Sequence, residues 1–535
     1  AFAGAAAALG AVLRLSVRRA LQPLSVVLAG LVVSLYLGSL TGIVMLFFSE
    51  ETRGVMQWGS GSLVQDSWRD TLGLLWRIAV AAILTAFLIK PLNIMSLGDT
   101  QAESAGIPVK KIRLLSLAVA AFLSAGVVGF VGMMGFVGLA AATLVRQMGV
   151  RTLSMRLICS FIVGALLLML TDNGLMLLKH YRGTDLPAGA VTALVGAPLL
   201  LWLTAKAPPR PSFQTTSDIS TAAPHVPRLL HFLLLIAVAV SVLAFTVGRY
   251  DETLRLTIDP EYFVFRYPRV LLAAATGTML ALTGVILQRL TQNPMAGPEL
   301  LGISSGTAFG AMSVVMLFGI TSGSGWFWLT GIVSALVSLG LLMLFNRKNG
   351  FTPEKILLTG MALAALADAA IRIWMATGDF RVQLLLLWMS GSTYQATPES
   401  ALTVGLLAAA SLLLILTLQR WLGLLSLNAT IARSVGINVP LARLVLIVSS
   451  AALTALSTLL IGPLSFVGLL APHLARMLGA RLPKQQLAAA ALIGASVMMT
   501  ADWLGRQVMF PYEVPAGMMA TLIGGAYFMM MMRKL

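Results

Sequence analysis

Residues 1–205 return, in the same order, as residues 331–535, so whatever unit this chain folds into, it builds twice. Gly10 recurs as Gly340, Pro23 as Pro353, Gly30 as Gly360 and Trp58 as Trp388. The register persists through Gly106-Ile107 and Gly436-Ile437, through Phe136–Leu139 and Phe466–Leu469, and at Asp172 and Asp502. A two-residue slip then aligns Pro187-Ala188-Gly189 with Pro515-Ala516-Gly517. Spacing kept over this length describes two copies of one structural unit in parallel order.

The unit belongs in a membrane. Hydrophobic residues make up 58% of the chain and charged residues 11%, and the mean hydropathy is +0.90, outside the range of a soluble domain. A spanning helix needs about 20 apolar residues. The second copy offers ten candidates, near 229–247, 266–288, 302–319, 326–345, 353–377, 399–418, 440–461, 466–478, 487–505 and 515–533. The eighth is too short to cross unaided. The first copy offers seven, near 1–15, 23–47, 69–88, 110–131, 136–148, 153–175 and 187–204. Residues 229–330 have no counterpart ahead of residue 1, so the first copy is expected to lack about three N-terminal helices. The expected fold class is therefore all-α and polytopic, with domains at 1–205 and 229–535 joined by a Pro-, Ser- and Thr-rich linker at 206–228.

Lys and Arg gather in the linker, at the C-terminus and in alternate loops, which places that side in the cytoplasm by the positive-inside rule. The pI near 10.6 thus reflects topology, and nucleic acid need not be invoked. One cysteine, Cys159, excludes an internal disulfide, and four scattered histidines show no metal-ligand spacing. No resident cofactor is expected.

Three segments carry a family likeness. Residues 267–306 run from an apolar helix through Asn293-Pro294 and Gly297-Pro298 into a small-residue helix start. Residues 462–476 read GPLSFVGLLAPHLAR, and residues 514–525 read VPAGMMATLIGG. Together they resemble the signatures of the FecCD family, permease subunits of ATP-driven importers for iron–siderophores, haem and vitamin B12. Two copies on one chain resemble the fused ferric-hydroxamate members. The first copy departs from the pattern, with Ala141-Ala142-Thr143 for Ala471-Pro472-His473 and Met133 for Pro463.

The resemblance implies two ten-helix bundles of the vitamin B12 permease type in a bacterial inner membrane, C-terminus cytoplasmic. It also implies specific partners. The chain has no Gly-Lys-[Ser/Thr] phosphate cradle, so ATP and Mg would be handled by two copies of a separate ATPase. The coupling segments would be Leu97–Gly106, with Asp99, Glu103 and Gly106, and Leu427–Gly436, with Asn428, Arg433 and Gly436. Asp99 and Asn428 are helix-cap candidates there. A periplasmic siderophore-binding protein would dock on Arg266, Arg269 and Arg506, since a guanidinium fork grips a carboxylate. An ordinary snorkelling role at the interface is the plainer reading of the same arginines. Path and gate positions would be Trp58, Ser60, Ser62, Trp388, Ser390, Ser392, Asn293 and Met295. Asp368 and Arg372, one helical turn apart where the first copy has Gly38 and Gly42, either line the path or neutralise each other.

The expected activity is translocation of iron(III)-hydroxamate chelates, with iron travelling inside its ligand and no covalent chemistry in this chain. Another chelate (catecholate, haem or cobalamin) and an ion-coupled secondary transporter are the alternatives; parallel repeats also occur in the latter.

Overall fold

The computed structural model describes the chain except residues 1, 18–22, 66, 184–185, 207–225, 251–252, 258, 295, 321–323, 348–350, 376–378, 380, 428, 465 and 535. The first copy comprises α1 (Phe2–Ser16), α2 (Pro23–Phe47), the short α3 (Arg53–Gly59), α4 (Trp68–Met95), the short α5 (Asp99–Ser104), α6 (Val109–Val131), α7 (Val137–Gln147), α8 (Leu153–Arg182) and α9 (Ala188–Lys206). The second opens with α10 (Val226–Thr246), a hairpin of β1 (Val247–Tyr250) and β2 (Thr253–Leu256), and α11 (Pro260–Thr291). It continues through α12 (Ile303–Phe318), α13 (Gly325–Asn346), α14 (Pro353–Met375), the short α15 (Arg381–Met389), α16 (Pro398–Thr417) and α17 (Gln419–Leu427). It closes with the short α18 (Ala429–Ser434), α19 (Val439–Ile461), α20 (Phe466–Met477), α21 (Pro483–Val508) and α22 (Ala516–Lys534).

Every apolar stretch read from the sequence is a helix, and the repeat holds at the level of helix ends: α5 with α18 and α6 with α19 start and stop at matching positions. Eleven described helices are long and apolar enough to cross a bilayer. The ends are set by local chemistry. Asp259 caps α11 by accepting from the Glu261 N–H at 3.2 Å, with Pro260 in the first turn. Asn438 does the same for α19 through the Leu441 N–H at 3.2 Å, ahead of Pro440. Proline costs nothing there because its missing N–H would have had no partner.

The hub is α11, which packs on α16, α19, α20 and α21. Small residues allow the approach: a Cβ on Gly277 would strike the Gly494 carbonyl, and one on Gly284 would strike that of Gly468. Within a bilayer, where apolar faces gain little by leaving lipid, such close backbone packing is a main source of helix association. Gly468 belongs to the repeated Phe-Val-Gly-Leu motif.

The two copies meet pseudo-symmetrically. The matching helices α2 and α14 each pack on the last helix of the other copy, α22 and α9. Leu15, Ala29, Val32 and Val33 of the first copy share one core with Phe466, Leu470 and Phe528 of the second. His473 belongs to this region, its ring 5.2 Å from that of Phe528.

The hairpin is a feature the sequence reading did not foresee. Its strands are four residues each, too short to show an alternating pattern. It closes the end of α21: Trp503 Nε1 donates to the Val247 carbonyl at 3.0 Å, and Arg249 donates to that of Gln507 at 3.0 Å, satisfying a carbonyl in the helix's last turn.

Candidate functional site

The second and third family-like motifs converge on one turn in each copy. After α3 and α15 the chain reverses through Gly61 and Gly391, at φ +78° and +85°, a left-handed conformation that costs a side-chain-bearing residue energy. Gly132 and Gly462, the first residues of the second motif, press against the carbonyls of Trp58 and Trp388 so closely that a Cβ would collide. The Pro-Ala-Gly motif closes the other side, with the Gly517 N–H donating to the Gly391 carbonyl at 2.9 Å and Gly189 to Gly61 at 3.4 Å. Ser60 and Ser390 are buried in these turns. Trp388 is buried too, its ring edge-on to Phe327 at 5.3 Å, whereas Trp58 is 42% exposed.

Between these turns lies a cavity of about 170 Å³ with walls from both copies, including Gly42, Met45, Ser60, Met133, Arg372 and Met518. A second, of about 240 Å³, adjoins it through Met518 and is lined by Ser34, Gly38, Ser390 and Gly517. The structure therefore brings Ser60, Ser390 and Arg372 to the space between the copies. Asp368 and Arg372 form no ion pair within 4 Å, but Arg372 is near enough to act on the Asp368 carboxylate through space.

The three candidate docking arginines also converge. With Arg249 and Glu513 they line a surface pocket of about 210 Å³ beside the hairpin. Their forks are engaged from within. Arg269 grips Glu513 with two bonds of 2.8 Å and lies 3.5 Å from Asp502. Arg506 pairs with Asp502 at 3.0 Å, and Arg266 donates to the Phe245 carbonyl at 2.7 Å. Thr393, just past the turn at Gly391, donates to the fully buried Asp502. Sequence reading missed Glu513 and Thr393 because both partners lie more than a hundred residues from the groups they bind.

The opposite end of the molecule carries the two short helices α5 and α18. Gln292, following α11, donates to the Ser426 carbonyl at 3.0 Å, which fixes that loop and Asn293 at the same end as α18. Gly106 and Gly436 have φ of +77° and +85°. Each donates to the carbonyl three residues back (Glu103 at 3.0 Å, Arg433 at 2.9 Å), while the next residue donates five back, the left-handed helix stop expected from the sequence. Asp99 does not cap α5, however: Gly98 occupies the cap position, and Asp99 pairs with Arg113 at 2.7 Å. Ala102 and Ala432 seat the helices inward, leaving Leu97, Leu427, Ile431 and Val435 exposed. The repeat also places Glu103 where the second copy has Arg433, an inverted charge on otherwise matching surfaces. Asn428 and Met295 lie outside the described residues.

One further acid stands near this end, in the turn Pro298–Leu301. Both carboxyl oxygens of Glu299 are buried with no hydrogen-bonding side-chain or backbone partner beyond its own residue. Burial pushes its carboxyl up from 4.5 to about 7, against the pull of its own backbone N–H. A carboxyl raised on folding stabilises the fold in its protonated form, so that stability is complete below about pH 4.5 and is lost as pH rises through about 7. The purified protein is expected to lose roughly 3 kcal/mol over that window through this group, and Glu299→Gln to remove the loss. Thermal unfolding at pH 5 and pH 8 checks this; equal pH dependence in both proteins would refute it.

Comparison with known proteins covers both copies. The model of the FecCD transport family matches residues 1–206 and 229–534. The iron(3+)-hydroxamate import system permease protein FhuB of Escherichia coli (strain K12) is 38% identical over 521 residues, 96% of this chain and 78% of that protein. The Fe(3+)-citrate import system permease protein YfmE of Bacillus subtilis (strain 168) is 36% identical over 272 residues, 50% of this chain and 80% of that protein. Among solved structures, a metal-chelate-type ABC transporter in an inward-facing conformation aligns with a TM-score of 0.52 at 29% identity, covering 58% of this chain and all of that one.

Proposed function

Since the chain belongs to the FecCD transport family, we propose that it is the permease of an ABC importer that carries iron(III)-hydroxamate chelates across the bacterial inner membrane. The observation that carries this reading is the near full-length likeness to a two-copy hydroxamate permease, joined to a cavity walled by both copies. The chain is a multi-pass membrane protein with no need of chemistry of its own; its task is to open a path at one face and then at the other.

The two faces supply the means. Exposed Leu97, Leu427, Ile431 and Val435 on paired short helices suit docking of one ATPase subunit per copy, with the basic side and C-terminus cytoplasmic. At the far end, four arginines line a pocket with Glu513. Glu513 there holds the place that a carboxylate of a periplasmic carrier would take on Arg269. Displacing it would loosen Asp502 and, through Thr393, the gate turn. ATP-driven approach of the two short helices would tilt the copies about the α2–α22 and α14–α9 contacts. The present cavities are small, so passage of a whole chelate requires the walls to part.

Half-chain likeness to a ferric citrate permease keeps another chelate as the second reading. Vesicles reconstituted with the permease, its ATPase and its carrier decide between them. Uptake of labelled ferric hydroxamate is expected to exceed that of ferric citrate, ferric catecholate and cobalamin by at least about tenfold, to need ATP, and to survive collapse of the proton gradient. Uptake without the ATPase, or lost with the gradient, would overturn the importer; preference for citrate would overturn the substrate.

A further inference from the structure

The cavity between the copies is charged on one wall alone. Arg372, in the last turn of α14, lines it, and so does Gly42, the residue that stands in the same place in the first copy. One turn along, Asp368 is matched by Gly38, which lines the adjoining cavity. The rest of the nearer lining is dominated by apolar side chains such as Met45, Met133, Met375 and Met518. Thioether side chains adapt their shape but offer a ligand no strong hydrogen bond. Arg372 is exposed into this space, and among the described residues no carboxylate lies within ion-pairing distance of it. Asp368, one helical turn away on the same helix, acts on it only through space.

A guanidinium carries five N–H donors and no acceptor. In a mostly apolar cavity those donors interact strongly with any oxygen-rich surface that enters, because little water competes. Building on the hydroxamate reading above, we propose that Arg372 is a cargo-orienting site that binds the oxygen-bearing face of the chelate, with Gly42 leaving room for its bulk on the facing wall. Three hydroxamates, each carrying one negative charge, neutralise iron(III), so the chelate as a whole is not repelled by the cation. The metal's oxygen ligands still present partial negative charge to it. A bare cation, by contrast, is turned away. Arg372 charges one wall alone, so an asymmetric cargo is favoured in one orientation.

The test uses the assembled permease, ATPase and carrier in vesicles, with a labelled ferric trihydroxamate as probe. Arg372→Met preserves length and apolar fit but removes every donor, and is expected to lower the maximal uptake rate at least about tenfold. Arg372→Lys keeps the charge with fewer donors and is expected to fall between Met and wild type. Wild-type rates in the Met variant would overturn the proposal. If Arg372→Met fails to assemble, Gly42→Arg decides. A Cβ there meets only the flexible end of Met518, and a second cation filling the facing wall is expected to cut uptake by a similar factor. Unchanged uptake in that variant counts against the site. Failure of the unaltered complex to move any hydroxamate would instead sink the substrate assignment, which separates the two claims.

Discussion

A Gly436→Pro chain is expected to lose its ATPase on purification and to fall to background uptake while keeping its membrane fold. Gly436 ends α18 at φ +85°, and its N–H holds the Arg433 carbonyl at 2.9 Å. Proline locks φ near −65° and has no N–H, so both the turn and its bond are lost, at a cost of about 3 kcal/mol or more. The damage stays local because a Cβ at this position meets nothing within 4 Å. What changes is the presentation of Leu427, Ile431 and Val435. Gly436→Asn, which tolerates the left-handed conformation, should keep most of the activity. Copurification with the ATPase and ATP-driven uptake are the measurements, and wild-type values for the proline variant would remove the coupling role.

The second large effect lies at the other face. Arg269→Glu sets a third carboxylate beside Asp502 and Glu513, in a place where Asp502 has no exposed surface. Removing one partner from a buried ion pair costs about 3–5 kcal/mol. Adding like charge makes the loss larger, so uptake should vanish and thermal stability fall. Combining Arg266→Glu with Arg269→Glu should do the same while leaving the remote ATPase contact in place. A charge swap separates structure from docking: Arg269→Glu with Glu513→Arg rebuilds the pair. Stability is expected to return in part, but stimulation of ATP hydrolysis by the loaded carrier is not, because the carrier then meets the wrong fork geometry. Full recovery of that stimulation would show Arg269 to be purely structural.

The helices were legible because their signal is dense. Long apolar runs, copied twice, leave almost no freedom in where α2, α6, α14 or α19 can lie. The helix stops at Gly106 and Gly436 were legible for a similar reason, since glycine at a matching place in both copies marks one backbone geometry. Side-chain partnerships were not. Asp99 reads as a cap in one dimension, yet Arg113, fourteen residues on, reaches it first and Gly98 takes its place. Arg269 and Glu513 are 244 positions apart, and nothing in their local sequence announces that they meet. The hairpin after α10 escaped for want of length. Cavities are harder still: that Gly42 and Arg372 share one is a property of how two copies pack, which no single stretch of sequence contains.

Joining the copies covalently has a consequence for how such a channel can evolve. Two identical subunits meeting about an axis must inherit every mutation in duplicate. An arginine at the Arg372 position would then confront its own twin across a poorly hydrated space, and like charges so placed repel strongly. A duplicated gene is released from that rule. One half can carry arginine while the other carries glycine, and the same licence shows at Glu103 and Arg433, where matching short helices carry opposite signs. Fusion thus turns a mirror into a left and a right hand.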